Sequence, residues 1–242
     1  MTKTFLVARR ELGAFFSTWM GYVICAAALF IDGILFNAFA VGKEARYSSE
    51  VLANFFYFAS GIAMVAGVFL SMRLIAEEKQ NGTLVLFYTS PISEREVIYG
   101  KFLSAVAFSL VLHVLSFYLP ALIFVNGKVS LGHIASGYLM LVLLGSSTIA
   151  ISLFASTIAP NQLVAGVMGA LLTVTLLVLW MVSEIVSPPF KEIFAYLAIH
   201  NQHFTPFAQG IVHSKDVIYY LSVIFFFLEC SVRALEARRW RG

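Results

Sequence analysis

The chain has 242 residues, of which 60% are apolar and only 12% are charged. A soluble domain typically carries about 25% charged residues, so this composition excludes a water-soluble globular protein and indicates one that lies in a membrane. The formal net charge of +3 is too small to indicate a nucleic-acid partner. Both cysteines, Cys25 and Cys230, lie inside apolar runs, which argues against a disulfide framework and against a cysteine-based metal site.

Residues 1–17 predict an amphipathic helix that lies in the membrane interface, because apolar and polar side chains separate onto opposite faces at helical spacing. The apolar face carries Phe5, Ala8, Leu12, Phe15 and Phe16, and the polar face carries Lys3, Arg10, Glu11 and Ser17. The alternative is a plain extension of the first span. Since the first apolar run is long enough to span the membrane, we expect a retained anchor rather than a cleaved signal peptide.

Six apolar runs follow, and each reaches the roughly 20 residues that are needed to cross the hydrocarbon. They cover residues 20–39, 55–74, 102–125, 134–159, 163–186 and 217–233. The predicted fold class is therefore all-α, a polytopic membrane protein with six transmembrane helices in a single domain, 1–242. The turn at 160–162 is so short that the fourth and fifth spans should be antiparallel neighbours. Pro188 and Pro189 open an outer loop, 187–216.

The distribution of Lys and Arg predicts which side of the membrane holds the termini. One side would hold Lys3, Arg9, Arg10, Arg73, Lys79, Arg95, Lys101, Arg233, Arg238, Arg239 and Arg241, and the other would hold Lys43, Arg46, Lys128, Lys191 and Lys215. Because basic residues concentrate in cytoplasmic loops, the larger set indicates that both termini are cytoplasmic.

The segment 75–100, between the second and third spans, begins with charges on a helix that leaves the membrane. These are Glu77, Glu78 and Lys79. Gly82 then breaks the helix, and Thr83 can cap a new one. The three charged side chains are candidates for holding a docked partner in register.

A short and very apolar helix should follow. It runs from Leu84 to Tyr88, contains Leu86 and Phe87, and ends with the help of Pro91. An apolar turn at this place either lies in the lipid interface or docks into a groove on another protein. The residues alone leave both alternatives open.

The run Glu-Glu-Lys-x-x-Gly-Thr-Leu-x-Leu, followed by Pro-Ile-Ser and by Gly100-Lys101, resembles the signature of ABC-2 type permeases. It is most similar to those of the gliding-motility-associated and nitrous-oxide-reductase-maturation type. The stretch from His203-Phe204 to Arg238-Arg239-Trp240 is similar to the end of the gliding-type permeases. One position departs, because Val85 stands where the family usually has a glutamate.

The resemblance implies that the short apolar helix is a coupling helix, which seats in an ATPase subunit. The implied ATPase-coupling residues are Glu77, Glu78, Lys79, Gly82, Thr83, Leu84, Leu86, Phe87 and Pro91. A partner salt bridge at Val85 is not expected, which leaves the three charged residues as the polar candidates.

The sequence contains no Gly-x-x-x-x-Gly-Lys-Ser/Thr phosphate loop, so ATP and Mg would be bound by a separate ABC ATPase subunit. The chain itself is predicted to be no enzyme and to hold no cofactor or metal. The family works with two membrane subunits, which implies a homodimer or a pairing with a second permease. Further expected partners are membrane lipid and a periplasmic or accessory membrane subunit, and the expected location is the bacterial cytoplasmic (inner) membrane.

Asp32 lies past the middle of the first span, where an ionisable group is costly and function is the default hypothesis. It is our candidate for the translocation path, or for a pair across a dimer. The alternative is an aspartate near the outer end that reaches interfacial water.

Three further polar features have plainer interpretations. His113 is expected to be a hydrogen-bonded packing residue, and Glu229 and Arg233 are expected to form an ion pair within the last span, because they are four residues apart. His200, His203 and His213 invite a metal hypothesis, but their spacing matches no established ligand pattern, and a polar loop explains them equally well.

The predicted function is that of the transmembrane permease subunit of an ABC-2 type exporter, which couples ATP hydrolysis by a separate subunit to extrusion of a substrate. One alternative is an energy-transducing membrane component of a gliding or secretion machinery that moves no solute. Another is an ion-coupled secondary transporter that needs no ATPase. A pull-down distinguishes the ion-coupled transporter, which predicts no ATPase partner, and a substrate-stimulated ATPase assay would separate the energy-transducing component.

Overall fold

The computed structural model describes residues 3–41, 47–84 and 91–239, and every regular element within them is helical. Six helices are long and apolar enough to cross a membrane, which confirms the predicted all-α polytopic fold. We call them spans 1 to 6, and they are Trp19–Val41, Ser48–Gln80, Glu94–Phe124, Leu131–Ile158, Gln162–Ile185 and Ser214–Ala237. The amphipathic helix Lys3–Ser17 precedes them.

The spans alternate in direction, so the connections fall at two ends of the bundle. The amphipathic helix, the residues that follow span 2, the turn between spans 4 and 5 and the end of span 6 meet at one end, which we call the terminal end. The opposite end, which we call the far end, carries the connection between spans 5 and 6.

Several helices run beyond the predicted spans, because a helix does not stop where the hydrocarbon stops. Span 1 is α-helical over Trp19–Leu35 and ends in a π-helical turn, Phe36–Val41. Span 2 is α-helical over Ser48–Ser71, turns, and continues as Ala76–Gln80, which we call the charged helix. The last helix runs over Ser214–Arg239.

Span 3 is interrupted near its far end. Its first part is Glu94–Ser116 and its second part is Tyr118–Asn126. Pro120 has no N–H to donate to the carbonyl of Ser116, four residues earlier, which accounts for the break.

About half of the predicted outer loop, 187–216, is helical, and this corrects the sequence analysis. It contains the helices Phe190–Leu197 and Phe204–Ala208. The first of them repeats apolar residues at helical spacing, Phe190, Ile193, Phe194 and Leu197. It packs against span 5.

Span 4 is the central helix and packs against spans 2, 3, 5 and 6. Within its most apolar stretch 83% of the residues are buried, against 22% in span 1 and 17% in span 5. Small residues make this position available, because they let neighbouring helices approach closely. At Gly137, an added Cβ atom would lie 2.1 Å from the Phe56 ring of span 2.

Spans 4 and 5 are antiparallel neighbours, as predicted from the short turn between them. Span 4 ends at Ile158 and span 5 begins at Gln162. Asn161 caps span 5, because its side-chain oxygen accepts a hydrogen bond of 2.9 Å from the backbone N–H of Val164.

One side chain of the amphipathic helix departs from the predicted division into faces. On the apolar face, Phe15 and Phe16 pack at 5.0 Å and 5.2 Å on the Phe108 ring of span 3, and Phe5 is exposed. Glu11, predicted on the outward polar face, turns toward span 3 and is only 14% exposed. A buried lysine explains this difference.

Candidate functional site

Lys101 of span 3 lies at the centre of an ion-pair network at the terminal end. Its ammonium is 2.8 Å from the Oε1 atom of Glu78 on the charged helix and 3.2 Å from the Oε1 atom of Glu11 on the amphipathic helix. The Lys101 side chain is 1% exposed. We call Glu11, Glu78 and Lys101 the junction, because these three residues join three separate elements.

Arg10 adds a second, peripheral cation to the junction. Its guanidinium is 3.0 Å from Glu11 and 3.5 Å from Glu78, but its side chain is 66% exposed. The other carboxylate oxygen of Glu78, Oε2, is buried and has no hydrogen-bond partner within the described part of the chain. The buried charge of Glu78 therefore depends mainly on Lys101.

Gly100 allows the amphipathic helix to cross span 3 closely enough for the junction to form. A Cβ atom at this position would lie 2.7 Å from the Cβ atom of Val7 and 2.8 Å from the carbonyl oxygen of Thr4. Only glycine fits such a contact without displacement of the helix. The dipeptide Gly100-Lys101 thus supplies both the close approach and the bridging charge.

Arg73 holds the turn within span 2 against the end of the amphipathic helix. It pairs at 3.1 Å with Glu77, one turn ahead, and donates a hydrogen bond of 3.4 Å to the hydroxyl of Thr18. Its guanidinium carbon also lies 5.4 Å from the centre of the Phe15 ring.

Lys79 and Ser156 fasten the charged helix to the end of span 4. The Lys79 ammonium donates to the carbonyl of Thr157 and, at 3.1 Å, to that of Ala159, where cations stabilise the end of a helix. The hydroxyl of Ser156 accepts hydrogen bonds from the N–H groups of Ile75 and Ala76 and donates one to the carbonyl of Met72. The backbone groups freed by the turn in span 2 are therefore satisfied by span 4.

The charged helix ends where the sequence predicted. Gly82 has a φ of 69°, in the left-handed region, and its N–H bonds to the carbonyl of Lys79. Thr83 turns its hydroxyl back to the carbonyl of Glu78 at 3.4 Å, so it closes this helix. Leu84 is half-buried and packs against the core of its own chain. Leu86 and Phe87 lie outside the described residues.

Span 3 begins with a capping box that the sequence analysis missed. The backbone N–H of Ser93 donates to the carboxylate of Glu96 at 2.9 Å, and the N–H of Glu96 donates to the hydroxyl of Ser93 at 3.3 Å. The spacing Ser-x-x-Glu is a recognised signal for this device. Pro91 is exposed, and its carbonyl accepts a hydrogen bond from the Lys3 ammonium, so the amphipathic helix also contacts this side.

Span 6 joins the terminal end through Glu229, and the predicted ion pair with Arg233 is wrong. Glu229 instead pairs with Arg95 of span 3 at 2.9 Å and accepts a hydrogen bond of 3.2 Å from Tyr99. Arg233 pairs with Glu236 at 3.3 Å. Glu229 and Glu236 both lie at helical spacing from Arg233. Arg95 pairs with Glu229, and Arg233 therefore pairs with Glu236.

The predicted coupling residues on the two flanks thus occupy two kinds of position. Glu77, Glu78 and Lys79 bind groups of their own chain, and Gly82, Thr83 and Pro91 lie at the ends of the elements on either side of residues 85–90. Their contacts tie both flanks of this segment to spans 2, 3 and 4 and to the amphipathic helix. Such an arrangement can pass a displacement of the segment directly to the bundle.

Asp32, the candidate within the membrane, is only 4% exposed and is covered by its own chain. Its carboxylate makes no ion pair or hydrogen bond within residues 3–41, 47–84 and 91–239. The Tyr138 hydroxyl is 3.1 Å from the hydroxyl of Ser116 on span 3.

His113 is buried on span 3, as expected for a packing residue, but the expected hydrogen bonds are absent. Neither ring nitrogen has a hydrogen-bond partner among the described residues. The Nε2 atom faces span 4, where an added Cβ atom at Gly145 would lie 4.0 Å from it. The imidazole is therefore packed between two spans without a polar contact of standard geometry.

The histidines near the far end hold the connection between spans 5 and 6 onto the bundle. His203 lies with one ring nitrogen 2.7 Å from the carboxylate of Asp216 and the other 2.9 Å from the carbonyl of Tyr196. The Tyr219 ring stacks on it at 3.8 Å. On span 4, His133 contacts the carbonyl of Ala208 at 2.7 Å.

His200 connects the same segment to span 2, through a contact of 2.9 Å with the hydroxyl of Ser60. Burial holds the pKa of the His200 imidazole below its usual range, and the hydrogen bond with Asn201 opposes that effect. His213 is exposed. Within the described ranges, no group of three or more His, Cys, Asp or Glu residues is placed to hold a metal ion.

Two apolar cavities flank span 2. One, of about 480 Å³, lies between spans 1 and 2, and the other, of about 550 Å³, lies between spans 2 and 5. Both are lined by Val65, Phe69 and Met72.

Comparison with known proteins gives one family. The model of a family described as ABC-2 family transporter protein matches residues 22–226, which include most of span 1, the whole of spans 2 to 5 with the charged helix, and the first half of span 6. The amphipathic helix precedes the matched region. No curated protein matches the chain.

Proposed function

This chain belongs to the ABC-2 family of transporter proteins and is the membrane component of an ABC-type transporter, and from that premise we propose that it drives ATP-dependent export together with a separate ATPase subunit. In this proposal the segment 85–90 and its flanks form the coupling element that seats in the ATPase. ATP and Mg are bound by that partner, which supplies the hydrolysis.

The observation that carries the proposal is the way in which both flanks of residues 85–90 are fastened. On one side, Glu78 and Lys79 bind Lys101 of span 3 and the end of span 4. On the other side, the carbonyl of Pro91 receives the Lys3 ammonium and Ser93 caps span 3. A force on the segment reaches four membrane-associated elements without passing through a flexible linker.

The contacts change the roles that we assign to the coupling residues. Glu78 and Lys79 transmit movement inside the chain, because their charges are already bound there. Leu84 anchors the segment to the core of its own chain. Leu86 and Phe87 are the residues that we propose to enter the groove of the ATPase. Gly82, Thr83 and Pro91 fix the two flanks of residues 85–90.

The proposed cycle is the one that the resemblance to the family implies. ATP binding draws the two coupling segments of a dimer together, and this movement rocks spans 1, 2 and 5 of each half. The two apolar cavities beside span 2 support this choice of moving spans, because they leave space for helices to shift. Asp32 is proposed to lie beside the path that opens.

Further features of the assembly belong to the same proposal. A second permease, identical or different, would cover the surface of spans 1 and 5, which their own chain leaves largely bare. Both termini would be cytoplasmic in a bacterial inner membrane. The motifs of the chain favour the gliding-motility-associated or nitrous-oxide-reductase-maturation subtype, with an accessory membrane or periplasmic subunit.

The test is co-purification of an ATPase from membranes with the variant Leu86→Asp/Phe87→Asp. We expect the variant to insert normally, to lose the ATPase partner and to lose the associated ATP hydrolysis, because charges replace the apolar contact. Leu84→Asp is unsuitable, since it would also disrupt the core of the chain.

The matched control is Gln80→Asp/Asn81→Asp, which adds the same two charges at exposed positions just before the segment. It should retain the partner. If both double variants retain it, residues 86 and 87 are not the docking element. If the unaltered chain retrieves no ATPase at all, the ion-coupled transporter becomes the first alternative, and a partner whose hydrolysis drives no solute movement would favour the energy-transducing component.

A further inference from the structure

The cavity of about 480 Å³ between spans 1 and 2 is a groove that opens to the outer surface of the bundle, where Val65 is exposed. Its lining is apolar from Met20 and Met72 at the terminal end to Ile31 and Gly61 at the inner end. At a rise of about 1.5 Å per residue, the groove is about 16 Å long. A Cβ atom added at Gly61 would meet nothing within 4 Å, so the missing side chain leaves the inner end open.

Arg73 lies at the terminal end of this groove. Its Nη1 atom is 3.7 Å from the sulfur of Met20 and 3.4 Å from the hydroxyl of Thr18, and its Nε atom is 3.1 Å from the carboxylate of Glu77. A guanidinium presents five N–H donors, so these contacts leave donors for a further anion. The side chain is only 13% exposed, and its charge is therefore held beside the groove.

The groove corresponds in position to one leaflet of the bilayer. Half of the hydrocarbon core is about 15 Å thick, which is close to the length of the groove. Trp19, 87% exposed at the start of span 1, indicates the level of the lipid head groups, where tryptophan is enriched. Arg73 then lies at the depth of the phosphates, and the groove lies at the depth of the acyl chains.

A phospholipid offers both groups that this arrangement can bind. Its acyl chain is apolar, and its phosphate suits a guanidinium, which binds phosphate oxygens in a bidentate manner. A second copy of the chain fits less well. Residues 18–31 of span 1 and 160–172 of span 5, the halves near the terminal end, contain no aspartate or glutamate, so a copy that docks through these spans offers Arg73 no anion.

We propose that spans 1 and 2 bind an anionic phospholipid of the leaflet at the terminal end, with one acyl chain in the groove and the phosphate at Arg73, beside the hydroxyl of Thr18. The bound lipid fills the space between the two spans. A net negative head group is preferred, because a zwitterionic one brings its own cation to the phosphate. The site requires no ATPase, and it stands or falls independently of the coupling function proposed above.

The probe for the test is phosphatidylglycerol that carries a photoreactive diazirine near the end of one acyl chain. The full chain in mixed micelles is irradiated with this probe, and the labelled residues are identified by mass spectrometry. We expect the label at the inner end of the groove, around Ile31 and Gly61. Unlabelled phosphatidylglycerol should compete with the probe, and phosphatidylcholine with the same acyl chains should compete much less.

Two variants test the two ends of the site. Arg73→Gln should weaken binding of the probe about fivefold, the factor typical of one cation near anionic lipid. Its control is Arg95→Gln, which also removes an arginine from the terminal end and breaks an ion pair, that with Glu229. Gly61→Phe should abolish labelling in the groove, because the ring takes the space of the acyl chain, whereas Val114→Phe, at a position of span 3 that is 73% exposed, should not.

Gly61→Phe leaves the contacts of Arg73 in place, so the groove is tested even where Arg73→Gln does not fold. Labelling that is spread over the surface, or that is equal in Gly61→Phe and Val114→Phe, overturns the proposal. A second copy in the groove would also overturn it, and would appear as absence of the label there together with a changed oligomeric state in Gly61→Phe. Equal competition by phosphatidylglycerol and phosphatidylcholine overturns the preference for an anionic head group.

Discussion

Lys101 is the residue whose ion pairs hold the amphipathic helix, the charged helix and span 3 together at the terminal end. Its buried ammonium lies within 3.2 Å of two carboxylates that come from different elements. Removal of one member of a buried ion pair leaves an uncompensated charge, which is far more costly than loss of an exposed pair. Because two carboxylates share Lys101, its loss would also leave Glu11 and Glu78 to repel each other.

We therefore predict that Lys101→Met lowers the free energy of unfolding by about 3–5 kcal/mol, the magnitude typical of a broken buried pair. Arg10→Met should cost about 0–1 kcal/mol, because Arg10 is largely exposed. Reversible unfolding in mixed micelles measures both values. Lys101→Met/Glu11→Gln/Glu78→Gln, which removes all three charges, should recover most of the loss. Equal losses for the single and triple variants would contradict the electrostatic account.

At the scale of residues, the sequence identified the participants at the terminal end better than their partners. Glu77, Glu78 and Lys79 were singled out, and Gly82 was correctly predicted to end the charged helix. The partners of these charges were out of reach, because Lys101 is 23 residues from Glu78 and Ala159 is 80 residues from Lys79. Local spacing even misled at Glu229, whose partner Arg95 is 134 residues away.

At the scale of elements, the crossing of the amphipathic helix over span 3 is the contact that brings Glu11 to Lys101. The crossing depends on the missing side chain of Gly100, where a Cβ atom would come within 2.8 Å of both Val7 and Thr4. The helix must shift to admit a methyl group, and such overpacking typically costs about 1–3 kcal/mol. The junction would be stretched by the same shift.

We predict that Gly100→Ala lowers the free energy of unfolding by about 1–3 kcal/mol and weakens co-purification of the ATPase. Gly61→Ala is the matched control, because a Cβ atom there meets nothing within 4 Å. Gly100→Ala/Val7→Gly should recover part of the loss in co-purification, since it removes the Cβ atom of Val7 that the added methyl group meets. Similar stabilities for the two single glycine variants would show that the crossing tolerates displacement.

Helical periodicity revealed the elements themselves, apart from those at the far end. The six spans were predicted from apolar runs, and the short helix Phe190–Leu197 was missed because a loop had been inferred from Pro188 and Pro189. Its apolar residues recur at helical spacing, so the signal was present. The hydrogen bonds from Ser156 to the turn in span 2 left no comparable signal in the sequence, because a serine in an apolar span is ordinary in membrane helices.

At the scale of the whole molecule, hydropathy could not tell which spans form the core. Span 4 has a mean hydropathy of 2.0 and is 83% buried, whereas span 5 has a mean hydropathy of 2.3 and is 17% buried. Lipid is as apolar as a protein interior, so both environments select the same residue types. Small residues in span 4 are a better guide, because they mark where helices pack closely.

The orientation of the bundle is the property of the whole molecule that charge alone predicts. Basic residues concentrate at the terminal end, so this end should face the cytoplasm and the far end should face outward. In a chain with Cys25 and Cys230 replaced by alanine, we predict that a membrane-impermeant thiol reagent labels Lys191→Cys in intact cells but labels Asn81→Cys only after permeabilisation. Both positions are exposed, so accessibility does not confound the comparison. Labelling of Asn81→Cys in intact cells would place the coupling segment outside, where no ATPase could reach it, and would remove the basis of the ATP-driven mechanism.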